Sequence, residues 1–243
     1  MITFRVSAVC RVKDGYSGKW IETGGLLCTL DGQRYKPVTK PGGYLILTDL
    51  SPGQHQLSLR VAGYQDERVE LDGGTGIQER DITLKPGAGY PFHMPVAQLI
   101  LAVTKGGRPA AEQSLWLAVP DGSELKIAQT RTESGETSFR LYGKGLPARL
   151  SLPGAYLIVD GKNSEIVRLQ SVEKENGMLA APFEKAHERG KILLPAQNYH
   201  TDAAGFLRAY LSGPCTAALF APETGRVENL ALSVSENQRQ IAL

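Results

Sequence analysis

Apolar and polar residues alternate along the first part of the chain, from Thr3 to Lys13. Side chains of a β-strand point to opposite faces in turn, so this alternation predicts a strand with one buried face and one polar face. The same spacing of apolar residues returns at 57–61, 99–103 and 115–119. In the first segment, the apolar residues occupy the even positions Phe4, Val6, Ala8, Cys10 and Val12. The pattern therefore predicts that strand is the main element of the chain.

Turn-forming residues separate these segments. They occur as Asp31-Gly32, Ser51-Pro52-Gly53, Asp121-Gly122 and Asp160-Gly161. Short strands divided by such turns are typical of a β-sandwich. One segment predicts a helix instead of a strand. Pro182 suits the first turn of this helix, and Gly190 would end it. We therefore predict an all-β fold of tandem Ig-like or transthyretin-like antiparallel sandwiches, with one short helix at residues 182–189.

A weak internal repeat divides the chain into modules. Each copy consists of a threonine, a short polar turn, a glycine and a strand, and the copies begin at Thr39, Thr132 and Thr201. A chain of 243 residues is long enough for two or three small sandwiches. Stretches rich in glycine or charge mark boundaries near residues 85–89 and 173–177. We predict modules at residues 1–86, 96–170 and 177–243, of which the last two are either separate or share one core.

The first module resembles a known family. Its turn and corner motifs, in chain order, are Val12-Lys13-Asp14-Gly15, Thr23-Gly24-Gly25, Val38-Thr39-Lys40-Pro41-Gly42-Gly43-Tyr44, Leu50-Ser51-Pro52-Gly53 and Val61-Ala62-Gly63-Tyr64. This order is similar to that of the carboxypeptidase-regulatory-like, or transthyretin-like, sandwich, although Lys40 stands where that family often has aspartate. The resemblance covers residues 1–86, thins over 96–170 and returns briefly at 201–206. It implies a sandwich fold, and it implies a non-catalytic role because most family members are appendages of larger proteins or assemblies.

Charge and hydropathy exclude several classes of partner. The formal net charge is +2 and no run of lysine or arginine occurs, whereas nucleic-acid-binding chains carry a strong basic footprint. No segment approaches the roughly 20 apolar residues of a membrane span. The N-terminus lacks the basic and then apolar pattern of a signal peptide. We expect no nucleic-acid partner, no membrane span and cytoplasmic synthesis without a signal peptide, with the chain either staying there or leaving in a released particle.

Residues capable of chemistry do not form a familiar catalytic motif. The chain has no G-x-S-x-G nucleophile elbow. His187, His200 and Asp202 could supply metal ligands, but the close ligand pairs of zinc motifs are missing. We favour a surface-loop histidine and a turn aspartate instead. The sequence therefore predicts no catalytic residue, no metal site and no cofactor.

The cysteines leave two alternatives open. Cys10 and Cys28 fall in the same predicted module, so a disulfide between them is one alternative. The other is that both are small buried thiols, which is the commoner role of free cysteine and the one we favour.

Two groups of aromatic and apolar residues are candidates for binding. Tyr16, Trp20 and Tyr35 could form one patch that binds a glycan or a protein partner, or each could cover an open end of its own sandwich. The proline-stiffened segment after the first module is a candidate interface, because exposed apolar linkers often dock against a neighbour. Its apolar residues are Tyr90, Phe92 and Met94.

Three functions are compatible with these observations. The first is a non-catalytic structural or adaptor component of a larger assembly of protein subunits, such as a phage-tail-like or contractile-injection particle. The second is a carbohydrate-binding or adhesin module that uses Trp20 and nearby tyrosines. An accessory domain of an enzyme is a third alternative.

Overall fold

The computed structural model describes residues 4–74, 76–144, 146, 150 and 152–243, and residue 23 by its backbone alone. The chain divides into two compact units, Met1–Pro95 and Val96–Leu243. Each unit is built of strands and has its own buried apolar core. The all-β prediction is confirmed.

The described residues of the first unit form eight strands in two sheets. The strands are β1 (Val6–Asp14), β2 (Leu27–Leu30), β3 (Gln33–Tyr35), β4 (Val38–Lys40), β5 (Tyr44–Thr48), β6 (Gln54–Arg60), β7 (Glu67–Asp72) and β8 (Gln78–Leu84). Their orders are β4-β5-β1-β8 and β3-β2-β6-β7. Inward-facing residues of both sheets, such as Leu45, Leu57 and Leu84, are buried in one shared core. The unit is therefore a β-sandwich.

One strand pairing of the first unit departs from the antiparallel arrangement that we predicted. β8 runs parallel to β1, from the pair Ala8 and Gln78 to the pair Asp14 and Leu84. The preceding strand, β7, belongs to the other sheet, so the chain crosses between sheets before it enters β8. Alternation of apolar residues reports which face of a strand is buried but not the direction in which it runs.

Both cysteines of the first unit lie in its core. Cys10 and Cys28 are free thiols, 0% and 4% exposed. Burial raises the pKa of each thiol to about 11. Each therefore acts as a small apolar side chain, and the alternative of a disulfide between them is not realised.

The second unit contains the remaining strands of the described chain. They are β9 (Val96–Lys105), β10 (Arg108–Pro109), β11 (Ser114–Ala118), β12 (Lys126–Ile127), β13 (Arg131–Thr132), β14 (Ser138–Tyr142), β15 (Gly154–Val159), β16 (Glu165–Glu173), β17 (Asn176–Leu179), β18 (His187–Glu188), β19 (Ile192–His200), β20 (Phe206–Ser212), β21 (Cys215–Ala221), β22 (Arg226–Leu232) and β23 (Glu236–Ala242).

Strands from both ends of this unit build one sandwich. β9 pairs with β10, with β20 and, in parallel, with β23. β11, β21, β22 and the second half of β19 supply the facing sheet. The core between them contains residues from Ala97 to Ile241. Residues from both 96–170 and 177–243 therefore contribute to this core.

The middle of the unit forms a second core, which contains Leu125, Phe139, Leu169 and Leu193. Its sheet has the order β12-β14-β17-β16-β15-β19. β16 and β17 form a hairpin, so the predicted boundary at residues 173–177 falls in a turn within this sheet. β19 belongs to both halves, because Ile192–Pro195 pair with β15 and residues 196–200 pair with β11.

The helix expected at residues 182–189 is not formed, and this detail of the prediction is wrong. The segment is irregular and ends in β18. The carboxylate of Glu165 accepts hydrogen bonds from the backbone N–H groups of Glu184 and Lys185, each at 3.0 Å. His187 donates its own N–H to the hydroxyl of Thr132. These partners lie far away in the sequence, so the local pattern of Pro182 and Gly190 could not reveal them.

Candidate interaction site

The segment after β8 folds back onto the end of the first sandwich. The phenol of Tyr90 donates a hydrogen bond to the carboxylate of Asp14 at the end of β1. The ring of Tyr90 lies 5.3 Å from that of Tyr64, 4.7 Å from Phe92 and 5.7 Å from Tyr16, centroid to centroid. Aromatic rings at these separations attract each other beyond their burial of area. Tyr90 therefore anchors the segment within the first unit.

Asp14 is the polar centre of this aromatic cluster. Its carboxylate also accepts hydrogen bonds from the Ser17 hydroxyl at 2.7 Å and from the Tyr16 N–H at 2.8 Å. Burial acts to raise the pKa of Asp14, but the hydrogen bonds from Tyr90, Ser17 and the backbone outweigh it and lower the pKa. Burial and the Asp14 carboxylate raise the pKa of Tyr90 well above its usual range. The pair is therefore a neutral phenol bonded to an ionised carboxylate.

The three predicted interface residues differ in exposure. Tyr90 and Phe92 are half-buried, and Met94 is 69% exposed. Phe92 packs edge-on against Tyr16, with ring centroids 5.3 Å apart. Met94 is therefore the member of the segment that presents most of its apolar side chain to solvent. The role of the segment as an interface stays a prediction.

Trp20 belongs to a stack on the outer face of the sheet β4-β5-β1-β8. The guanidinium carbon of Arg11 lies 3.5 Å from the ring centre of Trp20 and 4.8 Å from that of Tyr44. The Nε atom of Arg11 also donates to the carbonyl of Gly42 at 3.1 Å. A cation over an aromatic face is attracted by the ring quadrupole. Because Trp20 is 37% exposed, the stack forms an ordered and accessible strip.

The structure places Tyr16, Trp20 and Tyr35 in three environments. Tyr16 joins the cluster around Tyr90, and Trp20 stacks on Arg11. Tyr35 lies on β3 in the other sheet, where its hydroxyl accepts the Thr48 N–H at 3.1 Å. Among the described contacts, Tyr16 is brought together with the predicted interface residues and not with Tyr35. Whether any of the three binds a glycan stays a prediction.

Sequence reasoning missed a cluster of serine, histidine and aspartate between two turns of the first unit. The Nδ1 atom of His55 lies 2.7 Å from the carboxylate of Asp31. Its Nε2 atom lies 2.9 Å from the backbone oxygen of Ser51 and 3.2 Å from the Ser51 hydroxyl. These residues, with Tyr35 and Asp49, line a groove of about 360 Å³. The turns are visible in the sequence, but no local signal places His55 between them.

The hydrogen bonds of His55 determine what this cluster can do. A backbone carbonyl only accepts hydrogen bonds, so Nε2 must carry a proton to bond Ser51, and Nδ1 must carry one to bond Asp31. Both bonds favour the imidazolium and raise the pKa of His55, with Asp31 the larger cause. A serine hydrolase instead needs a neutral histidine whose Nε2 accepts the serine proton. In this arrangement, His55 links two turns of the first unit.

A second histidine lies in the core of the second unit. His187 is 1% exposed, with Nδ1 at 3.0 Å from the Asp160 carboxylate and Nε2 at 2.7 Å from the Glu165 carboxylate. Asp160 also pairs with the Nζ atom of Lys191 at 2.6 Å. Burial acts to raise the pKa of Asp160, but the bonds from Lys191 and His187 outweigh it and lower the pKa. His187 is therefore not the surface-loop histidine that we favoured, because its hydrogen bonds to two carboxylates hold it in the core.

The three candidate metal ligands serve different contacts. The carboxylates beside His187 bond to different ring nitrogens, so their oxygens do not converge on one point as metal ligands do. His200 is exposed at the end of β19. Asp202 accepts the backbone N–H groups of Ala204 and Phe206, so it is the turn aspartate that the repeat predicted.

No protein-family model matches the chain, and no curated protein matches its sequence. Low similarity to solved structures is found. The major pilin subunit of Bacillus cereus is 8% identical, with 99% of each chain covered and a TM-score of 0.27. The minor pilin of Streptococcus agalactiae is 12% identical, with 98% of this chain and 94% of that chain covered and a TM-score of 0.23. A DUF3823 family protein from Bacteroides ovatus is 9% identical, with 93% and 96% covered and a TM-score of 0.26. Scores this low carry no argument about function.

The described part of the chain has no helical segment long and apolar enough to cross a bilayer.

Proposed function

We propose that the protein is a non-catalytic structural or adaptor subunit that binds other protein subunits of a larger assembly. The observation that carries this proposal is the use of its buried or bridging histidines. His187 has both ring nitrogens bonded to carboxylates from distant parts of the chain, and His55 joins the distant Asp31 to the nearby Ser51, so each acts as a cross-link within its unit. The turn and corner motifs of residues 1–86 support a carboxypeptidase-regulatory-like first unit, which agrees with such a role.

Exposed apolar side chains support the part of the proposal that concerns assembly. Met94 is 69% exposed after the first sandwich, and Val38 is 50% exposed on it. Apolar surface of this kind is commonly buried against a partner. Within this class we propose a phage-tail-like or contractile-injection particle, which neighbouring genes for sheath, tube and spike proteins would support.

The test is fractionation of assembled particles from the source cells on a density gradient, with the chain quantified by mass spectrometry. We expect the chain to sediment with the particle, and the Met94→Glu variant to be depleted from that fraction. Val234→Glu is the matched control, because Val234 is 45% exposed and lies outside the linker. A chain found only among small free proteins would contradict the proposal.

The stack of Trp20 on Arg11 favours a second candidate, a carbohydrate-binding module. A partly exposed tryptophan can lie against a sugar ring, and the guanidinium beside it can donate to hydroxyl groups. The test is binding of the purified chain to a glycan array. Binding that is lost in Trp20→Ala but kept in Tyr142→Ala would support the carbohydrate-binding function over the structural one. Tyr142 is a suitable control because it is 60% exposed in the second unit.

A further inference from the structure

The outer face of the sheet β4-β5-β1-β8 carries side chains in register. Two rows cross it perpendicular to the strands. In the order of the strands they are Val38, Ile46, Val9 and Glu79, followed by Lys40, Tyr44, Arg11 and Asp81. We call these eight residues the outer face. The neighbours of these residues along β1 and β5 point inward and are buried, so the two sides of the sheet are distinct.

The outer face has accessible apolar residues on its two central strands, β5 and β1, and on the edge strand β4. Val38 is 50% exposed, and Val9, Ile46 and Tyr44 are half-buried. Arg11 is held over Tyr44 and Trp20 by its stacking. Tryptophan, tyrosine and arginine are the residue types that dominate the binding energy of protein interfaces. A sheet face of this composition is suited to covering by another protein.

The two edges of the outer face carry opposite charges. Lys40 lies on the edge strand β4, and Glu79 and Asp81 lie on the edge strand β8; all three are exposed. A surface with a basic edge, an apolar centre and an acidic edge is complementary to itself when it is turned around. The same patch then serves on both partners, as in an isologous dimer.

We propose that a second copy of this chain packs on the outer face, with a two-fold axis parallel to the strands. This operation reverses the order of the strands, so β4 of one copy faces β8 of the other. Lys40 then faces Asp81, and Tyr44 faces Arg11. In the other row, the apolar residues Ile46 and Val9 face each other, and Val38 faces Glu79. Packing of two sheets with nearly aligned strands is a common geometry of β-sandwiches.

The size of the outer face sets the strength of this contact. With strands about 4.8 Å apart and about 3.3 Å per residue, it covers roughly 300 Å² on each copy. The total of roughly 600 Å² is well below the about 1,200 Å² of a stable interface, so the dimer is weak in solution. The dimer contact becomes effective where other contacts within an assembly hold two copies of the chain at high local concentration. The inference therefore rests on the proposed role as a subunit of an assembly.

Sedimentation velocity of the full chain over a range of concentrations tests the inference by charge reversal. Lys40→Glu places acid against acid in the dimer, and Asp81→Lys places base against base. We expect each variant alone to raise the dissociation constant at least about tenfold. An equimolar mixture of the two variants should recover association, because both contacts between unlike copies are then attractive. Recovery in the mixture also shows that both variants are folded.

Arg34→Glu is the matched control, because Arg34 is exposed on β3 in the other sheet and should leave association unchanged. Wild-type chain that stays monomeric at all concentrations, or a mixture that associates no better than its components, would overturn the inference. So would a monomeric chain that binds glycans through Trp20. A monomer that still sediments with the particle would overturn this inference alone and leave the proposed function standing.

Discussion

The phenol of Tyr90 donates a hydrogen bond to the carboxylate of Asp14, and the two residues are 76 positions apart in the chain. One lies at the end of the first strand, and the other follows the last strand of the same sandwich. The bond therefore ties the segment that leaves the first unit to the strand that begins it. The rings of Tyr16, Tyr64 and Phe92 pack against the ring of Tyr90.

Replacing Tyr90 with phenylalanine should destabilise the first unit by about 1–2 kcal/mol, because the ionised Asp14 loses a charge-assisted partner while the ring contacts remain. Urea denaturation followed by tyrosine fluorescence measures this. Tyr142→Phe is the control, since Tyr142 is 60% exposed and should change little. Equal effects of the two substitutions would mean that the bond to Asp14 contributes nothing.

The link between His55 and Asp31 should make the stability of the first unit depend on pH. The folded protein raises the pKa of His55 above the unfolded value of about 6.5. The link therefore contributes fully below about pH 6.5 and is lost as the pH rises through the higher folded value. We expect His55→Gln to lower the melting temperature at pH 6 and to have little effect at pH 9. His93→Gln, at an exposed position, is the control, and an effect of His55→Gln that is the same at both pH values would contradict the link.

Replacing His187 with alanine should cost about 1–3 kcal/mol, because it removes the hydrogen bonds between the buried imidazole and the carboxylates of Asp160 and Glu165. Chemical denaturation of the full chain measures the loss. His200→Ala is the matched control, since His200 is exposed, and we expect a change within about 0.5 kcal/mol. A similar small loss in both variants would contradict the structural role of His187.

The corner that holds the Ser51 carbonyl leaves no room for a side chain at residue 73. A Cβ atom on Gly73 would lie 1.7 Å from the Ser51 backbone oxygen, the atom that His55 bonds. Gly73→Ala should therefore displace the corner and destabilise the first unit by about 2–4 kcal/mol. Gly74→Ala is the control, because its Cβ would meet no atom closer than 3.6 Å. The melting temperatures of the two variants check the prediction. Equal melting temperatures would show that the corner accommodates the added methyl group without loss of stability.

The local features of this fold could be predicted from the sequence, and the long-range ones could not. The alternation along β1 correctly assigns Ala8, Cys10 and Val12 to the core, because a strand buries every second residue wherever it lies. The threonine of the repeat has a structural basis at two of its three positions. Thr132 and Thr201 are buried, and their hydroxyls accept backbone N–H groups from distant segments.

The missed features all depend on residues that meet only in the folded chain. The irregular segment at 182–189 is set by Glu165, and the role of His187 is set by Asp160 as well. The Arg11 stack needs Trp20 and Tyr44 from separate strands or loops. Neither composition nor periodicity reports such pairings, which is why the candidate surfaces changed more than the fold class did.

The sharing of β19 between two cores has a thermodynamic consequence for the second unit. Its residue Ala196 is buried in a further apolar cluster with Leu157 of β15 and Phe220 of β21, which lie on either side of β19, and Leu194 packs against this cluster. If either half of the unit unfolds, β19 loses its hydrogen bonds to β15 or to β11, and the apolar cluster becomes exposed. The second unit should therefore melt in a single cooperative transition, and a pulling force applied to one half should pass through the strand's hydrogen bonds to the other.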